Sequence, residues 1–436
     1  MVLKPSAVAI ATLSLLTPVA LAEDFDSSSN DSVGTANSNS AEALITTAVE
    51  PVAPEIDPDT SVSVGEDSFR LYGHAMLDMG FQTKQSDPDW PDVLRPTKLP
   101  SYENEYSNDG HFYSGVRQSR LGFASTSPTP YGELKTVIEF DLVGVGDDAG
   151  KTALHLLKAW GEFGDFGAGQ YNSVFMDADL FPNTIEYWGP SGMVFYNNVQ
   201  IRWTPWRDGD SRFAVSIERP GGSGDGGEFR DYIATRGIIG DFERPDIAAH
   251  YRWASDWGHF QAAGILRQIK WKDTSADSTT DLSGEETGWG VNLSTNYFLG
   301  RHVIRASAVY GEGIQNYLND ASADIGIRQP AGTNPSDLPS TTIPVLGIVA
   351  FIDLNWSQQW TSSIGYSMQD NDLPASATAA EFKTGQYALA NLLWHPSSNI
   401  FMGPEIQWAQ RDNYGDFTSE DLRIQFSVKY SFSKTL

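Results

Sequence analysis

The chain has 436 residues and no cysteine, so no disulfide bond stabilises it. Its formal net charge of −27 at pH 7 argues against nucleic acid as a partner. Charged residues make up 19% of the chain, and this polarity argues against a bundle of membrane-spanning helices. A transmembrane β-barrel is compatible with it, because half of each strand faces a wet lumen.

Residues 1–22 have the pattern of a secretory signal peptide. Lys4 precedes an apolar run from Ala7 to Leu16, and Ala20-Leu21-Ala22 supplies the small residues of a cleavage site. The run is too short to span a bilayer as a helix. A buried strand at the start of a cytosolic domain is the alternative interpretation. The signal peptide predicts that the protein is exported from the cytoplasm.

Residues 23–66 contain ten Asp and Glu side chains and no Lys or Arg. Ser and Asn dominate the first half of this segment, and Pro and Val the second. Such a segment cannot bury enough apolar surface to offset the entropy lost on ordering. We therefore predict a disordered acidic tether in the periplasm, without the heptad repeats of a coiled coil.

Residues 67–436 predict one all-β domain. In the last strand, from Asp421 to Phe432, apolar and polar residues alternate strictly, as they do when one face meets lipid and the other meets water. We predict sixteen strands in all, at residues 68–82, 112–126, 133–143, 153–163, 166–174, 198–206, 211–219, 243–254, 258–272, 286–298, 301–312, 345–358, 360–370, 381–395, 400–411 and 421–432.

Short connections alternate with long ones along the whole domain, which is the asymmetry of an outer-membrane barrel with periplasmic turns and extracellular loops. The predicted fold is a transmembrane antiparallel up-and-down β-barrel of about 16 strands in the bacterial outer membrane. A soluble β-sandwich or solenoid is the alternative, but soluble strands are typically about half as long.

Parity along each strand separates lipid-facing from lumen-facing side chains. In the strand 133–143, Leu134 and Ile138 face outward while Lys135 and Glu139 face the lumen. The strand 258–272 does not alternate cleanly, so its facing stays open. The cations predicted to face the lumen include Arg70, Arg120, Lys135, Arg202, Arg252, Arg305 and Arg423. Such side chains favour anions in a pore, or they pair with acids across strands and only rigidify the wall.

The segment 175–198 is unlike the other long connections, because it is rich in Phe, Tyr and Trp and contains no Lys or Arg. Aromatic loops avoid water, and a sixteen-stranded barrel leaves an aqueous channel that needs narrowing. We predict that this loop folds inward as a constriction. Its acids Asp177, Asp179 and Glu186 would then oppose the wall cations Arg120, Lys135 and Arg202. The alternative is that the loop packs at a subunit interface.

The sequence contains no pattern that predicts catalysis. Its seven histidines form no His-x-x-x-His pair, and no Gly-x-Ser-x-Gly motif or phosphate-binding loop occurs. We therefore predict a passive channel without cofactor or metal rather than an enzyme. The alternatives are a barrel enzyme that hydrolyses lipid, and a structural or adhesin barrel plugged by its own loops.

Several short motifs occur in a specific order: Ser119-Arg120-Leu121-Gly122-Phe123, Gly132-Glu133-Leu134-Lys135-Thr136, Glu139-Phe140-Asp141-Leu142, Ala168-Gly169-Gln170 and Glu186-Tyr187-Trp188-Gly189-Pro190. This combination resembles the DcaP-like family of trimeric outer-membrane porins. The resemblance is densest from Ser119 to Pro205 and reaches the last strand. It implies a homotrimeric, sixteen-stranded diffusion channel in outer-membrane lipid, with a preference for small anionic solutes such as dicarboxylates.

The chain departs from that family in two respects. The family can carry a periplasmic coiled coil before the barrel, whereas residues 23–66 show no heptads. Barrel proteins also commonly end on an aromatic residue, whereas here four residues follow Phe432 and the chain ends on Leu436.

Overall fold

The computed structural model describes residues 67–436 except 107, 277–278, 331, 333 and 336. The predicted signal peptide and tether lie outside the described residues. Sixteen long strands form the barrel wall: β1 (Ser68–Gln82), β2 (Arg120–Thr129), β3 (Gly132–Val143), β4 (Thr152–Phe163), β5 (Phe166–Asn172), β6 (Asn197–Asp208), β7 (Ser211–Glu218), β8 (Asp246–Ser255), β9 (Gly258–Asp273), β10 (Gly284–Leu299), β11 (His302–Glu312), β12 (Pro344–Asn355), β13 (Trp360–Asn371), β14 (Phe382–Asn391, resuming as Leu393–Ser397), β15 (Ile400–Asn413) and β16 (Thr418–Thr435).

The sheet closes on itself, which confirms the predicted sixteen-stranded antiparallel barrel. Each strand pairs antiparallel with the next along the chain. The first strand also pairs with the last, in a register that runs from Arg70 opposite Thr435 to Gln82 opposite Arg423. Closure leaves no free edge in the sheet, so every wall strand has a hydrogen-bonded partner on both sides.

The remaining elements are short and lie in the long connections. Short strands occur at His111–Gly115, Ile238–Gly240, Ile325–Ile327 and Ser340–Thr342, and single helical turns at Pro96–Lys98, Gly146–Asp148, Ala178–Leu180, Gly227–Phe229, Arg230–Ala234 and Gln315–Tyr317. Within the described residues, no helix has the length and apolar character needed to cross a bilayer.

Exposure alternates along the wall strands as predicted. In β2, for example, Leu121 is 41% exposed on the outer face while the neighbouring Arg120 is 8% exposed and faces the lumen. Exposed aromatic side chains collect near the short turns, where they form the lower girdle of a membrane barrel. They include Phe163, Phe166, Trp203, Trp206, Trp253, Trp356, Trp360, Trp394, Tyr430 and Phe432.

Three predicted strands differ from the structure in informative ways. The predicted strand 112–126 is broken at residues 116–119, and only its two ends pair with β1. The predicted strand 381–395 is interrupted at Leu392. In β9 the inward residues Ala263, Ile265 and Ile269 are apolar and buried. They pack against loops inside the barrel, and this is why polarity does not alternate along that strand.

Candidate functional site in the barrel lumen

Residues 173–196, which we call the inner loop, join β5 to β6 and run around the inside of the wall. The contacts of this loop advance in strand order from β7 to β16 and on to β3. Hydrogen-bonded anchors in chain order are Val174 to Glu218 (β7), Asp177 to His259 (β9), Asn183 to Asp353 (β12), Thr184 to Glu405 (β15), Ile185 to Gln425 (β16) and Tyr187 to Asp141 (β3). Polar side chains of the wall therefore hold the loop within the lumen.

Asp177 is the most heavily bonded acid of the inner loop. Its carboxylate accepts hydrogen bonds from His259 Nε2 at 2.8 Å and Ser294 Oγ at 2.5 Å, and it lies 3.3 Å from Arg252 Nη1. Burial disfavours the charged form of Asp177, but His259, Arg252 and Ser294 outweigh this effect and lower its pKa. Asp177 therefore stays ionised.

Arg252 also forms an ion pair with Asp179. The possible ligand atoms of Asp177, Asp179 and His259 all lie within 4.8 Å of one another, as in some metal sites. Because Arg252 contacts both carboxylates, the geometry here is that of an ion-pair network that fastens the loop to β8.

Glu186, the third predicted acid, fixes a different part of the inner loop. Its carboxylate accepts hydrogen bonds from the backbone N–H groups of Leu94, at 3.1 Å, and of Gly189. Burial raises the pKa of Glu186 to about 7, although the charge of Arg423 opposes this shift. Glu186 thus joins the inner loop to the connection between β1 and β2.

The predicted cation Arg120 faces the lumen but has its own acid on the wall. It lies 3.2 Å from Glu139 of β3, and the same carboxylate lies 3.5 Å from Lys158 Nζ and accepts a hydrogen bond from Tyr72 at 2.6 Å. Because this acid and these donors belong to neighbouring strands, the cluster braces the wall below the inner loop.

Lys135 lies near the short-turn end of β3, opposite Thr126 of β2 and Glu162 of β4. Asp141, which lies opposite Arg120, is six positions further along β3. We predict that Asp177, Asp179 and Glu186 face Arg120, Lys135 and Arg202 across the opening. The direct partners in the structure are Arg252 for Asp177 and Asp179, and backbone N–H groups for Glu186. The inner loop enters the lumen along β7 to β10, so its first acids meet Arg252 instead.

The other predicted lumen cations have clear neighbours. Arg305 bonds to Asp353 at 2.6 Å and also donates to the backbone carbonyl of Asp179. Arg423 is fully buried, donates to the hydroxyl of Tyr113 at 2.6 Å, and lies over that ring with 4.1 Å to its centroid.

Arg70 is half-buried near the short-turn end of β1, with its guanidinium 6.0 Å from the centre of the Tyr72 ring. Tyr72 belongs to a small inward-facing cluster with Ala124, Val137 and Trp160. Arg70 therefore lies on the side of the wall where aromatic side chains, rather than the inner loop, form the lining.

Arg202 occupies this aromatic part of the wall and has no acid partner among the described residues. Its guanidinium donates to Gln200 at 3.2 Å and to the backbone carbonyl of Asn172. It lies 5.3 Å from the centre of the Trp160 ring and 5.4 Å from that of Tyr171. The side chain remains partly exposed, so its positive charge acts on the lumen.

Arg212 of β7 is a second cation of the lumen that forms no ion pair among the described residues. It is not one of the cations predicted from the sequence. Its Nε donates to His250 Nε2 at 3.3 Å, and the side chain is partly exposed. The alternation along β7 does predict that Arg212 faces the lumen, because Arg212 shares the inward face of β7 with Ser216 and Glu218.

Comparisons with known proteins agree with this architecture. The sequence model of the family described as DcaP outer membrane protein matches residues 44–317. The crystal structure of the outer membrane channel DcaP of Acinetobacter baumannii is 20% identical, with a TM-score of 0.69, over 85% of this chain and 99% of that chain. Comparison with curated protein sequences gives no significant match.

Two other solved structures share the fold. The anion-selective porin from Comamonas acidovorans is 9% identical, with a TM-score of 0.51, over 84% of this chain and 100% of that chain. Outer-membrane expressed OmpT of Vibrio cholerae is 11% identical, with a TM-score of 0.50, over 85% and 99%. Since the family model covers more than half of the sequence, the chain belongs to the DcaP outer membrane protein family and is a porin-type β-barrel of the bacterial outer membrane.

Proposed function

We propose that this porin is a passive diffusion channel for small hydrophilic solutes, with a weak preference for anions such as dicarboxylates. The observation that carries the preference is that Arg202 and Arg212 face the lumen and form no ion pair among the described residues. Rings of arginine and lysine favour anions through local potential and hydrogen bonding.

Ion pairing elsewhere in the lumen supports the importance of this pair. Arg95, Arg120, Arg252, Arg267 and Arg305 each have a carboxylate within 3.3 Å. Those charges are paired at contact distance, whereas acids act on Arg202 and Arg212 only from beyond ion-pair distance. The two residues lie on successive strands, because Arg202 is opposite Ser216 and Arg212 lies four residues along β7 from that position.

The total charge of the chain favours cations, so the local and global effects compete. Acids on extracellular loops and on the outer surface are screened within about 8 Å at physiological ionic strength. A solute in the lumen passes much closer than this to the wall. We therefore expect the wall cations to decide the sign of the selectivity, and the resulting preference to be weak.

Reversal potentials across a KCl gradient in planar bilayers test this proposal. The wild type should prefer chloride, and Arg202→Ala and Arg212→Ala should each reduce the preference, with the double variant reducing it most. Arg207→Ala is the matched control, because Arg207 is exposed near a short turn and already pairs with Glu162 at 2.8 Å. Cation preference in the wild type, or an unchanged preference in the double variant, would refute the anion preference.

Two alternative functions must be distinguished from that of a channel. A lipid-hydrolysing barrel requires a catalytic serine and histidine on the outer face, and a structural or adhesin barrel requires a lumen that does not conduct. We propose neither, because the lumen carries unpaired cations and family membership points to a channel. Well-folded, heat-modifiable protein that shows no conductance steps would refute the channel itself.

We also propose that the protein is a homotrimer surrounded by outer-membrane lipid. The number three comes from the resemblance to the trimeric DcaP-like porins. Mass measurement in mild detergent tests it, and a monodisperse monomer would end the proposal.

A further inference from the structure

His250 of β8 is a buried histidine of the lumen wall, and it contacts both the inner loop and Arg212. The residue is 4% exposed. Its Nδ1 lies 2.9 Å from the backbone carbonyl oxygen of Val174, and its Nε2 lies 3.3 Å from Arg212 Nε. One ring therefore connects the start of the inner loop to a lumen cation that forms no ion pair among the described residues.

The two contacts of the His250 ring determine its protonation. A carbonyl oxygen only accepts hydrogen bonds, so Nδ1 carries a hydrogen and donates it to Val174. A guanidinium only donates, so Nε2 carries no hydrogen and accepts from Arg212. The ring is therefore neutral, and it holds the guanidinium without placing a negative charge beside it.

The start of the inner loop is held by the same strand that carries Arg212. Glu218 is the last residue of β7, and its Oε1 accepts hydrogen bonds from the backbone N–H of Val174 at 3.0 Å and from Ser173 Oγ at 2.9 Å. The carbonyl of Val174 is thus a fixed acceptor for His250 Nδ1. Because the partner of one ring nitrogen orients the whole ring, it also sets the direction of Nε2 toward Arg212.

Arg212 needs a partner of its own, because it lies directly opposite Arg252 in the pairing of β7 with β8. Like charges at such positions repel each other. The guanidinium of Arg252 turns to Asp177 and Asp179, whereas that of Arg212 turns to His250. The first arrangement neutralises its cation, and the second does not.

Asp210, in the short turn between β6 and β7, is a competing acceptor for Arg212. Its Oδ1 is buried and has no hydrogen-bond partner among the described residues. Burial raises the pKa of Asp210, and the charges of Arg252 and Arg212 oppose this shift, so both guanidinium groups lie within electrostatic reach of its carboxyl group. An Arg212 side chain released from His250 therefore has a carboxylate to pair with.

We propose that His250 is a positioning residue of the channel, which holds Arg212 in the lumen as a cation without an ion pair and keeps it from pairing with Asp210. His250 acts on the selectivity only through Arg212. This inference rests on the anion preference proposed above and deepens it.

Reversal potentials across a KCl gradient test the role of His250. His250→Phe keeps a ring but removes both hydrogen bonds, so it should lower the ratio of chloride to potassium permeability toward the value of Arg212→Ala. His250→Asn, whose shorter amide reaches only the Nδ1 position, should have the same effect. His250→Gln supplies an oxygen that accepts from Arg212, so it should retain most of the wild-type ratio.

Two further comparisons separate positioning from packing. In an Arg212→Ala background, His250→Phe should cause no additional loss. Asp210→Asn should raise the permeability ratio more in the His250→Phe background than in the wild type, because it removes the competing carboxylate. His395→Phe is the matched control, since His395 is also a buried histidine of the wall, bonded to Thr361 at 2.9 Å, and its ratio should equal that of the wild type.

Heat-modifiability on gels establishes that each barrel is folded before the ratios are compared. Folded His250→Phe and His250→Asn variants with the wild-type ratio, or an equally large loss without Arg212, would show that His250 only packs the wall. Either result overturns the proposal and leaves the anion preference intact. A wild type that prefers potassium would instead overturn the anion preference, and the paired variants of His250 and Arg212 would still show whether the two residues act together.

Discussion

The lumen wall has two unlike parts, one covered by loops and one open. On the covered wall, which consists of the inward faces of β8 to β16, polar side chains such as Gln369, Gln407 and Gln425 are fully buried beneath the inner loop and other long connections. On the open wall, which is the part of β3, β6 and β7 nearer the short turns, Lys135, Arg202 and Arg212 remain partly exposed. The side chains of the covered wall bind the loops inside the barrel, and the cations of the open wall are accessible to solutes.

The largest expected difference between the two walls concerns the loss of one arginine. Arg252→Ala, on the covered wall, leaves the buried carboxylate of Asp177 without its cation and should destabilise the protein by about 3–5 kcal/mol. Arg202→Ala, on the open wall, removes a cation without a carboxylate partner and should change stability much less. Urea unfolding of both variants in detergent measures the difference, and equal losses would erase the distinction between the walls.

The stability of the protein should also depend on pH through Glu186. Because burial raises its pKa from 4.5 to about 7, its contribution to stability is fully present below pH 4.5 and is lost as the pH rises through 7. Glu186→Gln stays neutral, so it should lose less stability than the wild type between pH 5 and pH 8. The difference between the two proteins should be on the order of 3 kcal/mol.

Thermal unfolding at pH 5 and pH 8 measures the effect of Glu186. Glu103→Gln is the control, because Glu103 is exposed in the connection between β1 and β2. Parallel pH profiles of wild type and Glu186→Gln would mean that Glu186 does not titrate in this range.

A smaller effect on anion preference should follow when an aromatic ring beside Arg202 is removed and the charge is kept. Tyr171→Leu removes one of the two rings beside the Arg202 guanidinium. Such contacts contribute about 0.5–2 kcal/mol, so Arg202 should become less ordered and the anion preference should fall only in part. Reversal potentials are the readout, and a loss as large as that of Arg202→Ala would show that the ring positions the guanidinium completely.

The smallest effect should follow from deletion of residues 23–66. Their composition offers no core, and termini of this kind usually tolerate truncation. The barrel should fold and conduct as before. Failure of the shortened protein to assemble would show that this segment, part of which the family model matches, clamps the oligomer instead.

The predicted site differs from the contacts in the structure where the path of the loops matters. Parity placed Arg202, Arg252 and Arg305 on the lumen face, and the structure agrees for each. Parity is a local property and says nothing about which wall a loop meets. Parity therefore predicts that Asp177 lies near Arg120, Lys135 and Arg202, but it does not indicate the bond to Arg252.

The sequence by itself determined the barrel, its strand number and the facing of most strands, because alternation with period two is imposed by the extended backbone and by lipid on one side only. The tertiary structure decided which lumen charges are neutralised. Ion pairs such as Arg95–Asp320 and Arg252–Asp177 join residues 225 and 75 positions apart. Such contacts depend on how closure brings distant strands and loops together, and no local pattern encodes that distance.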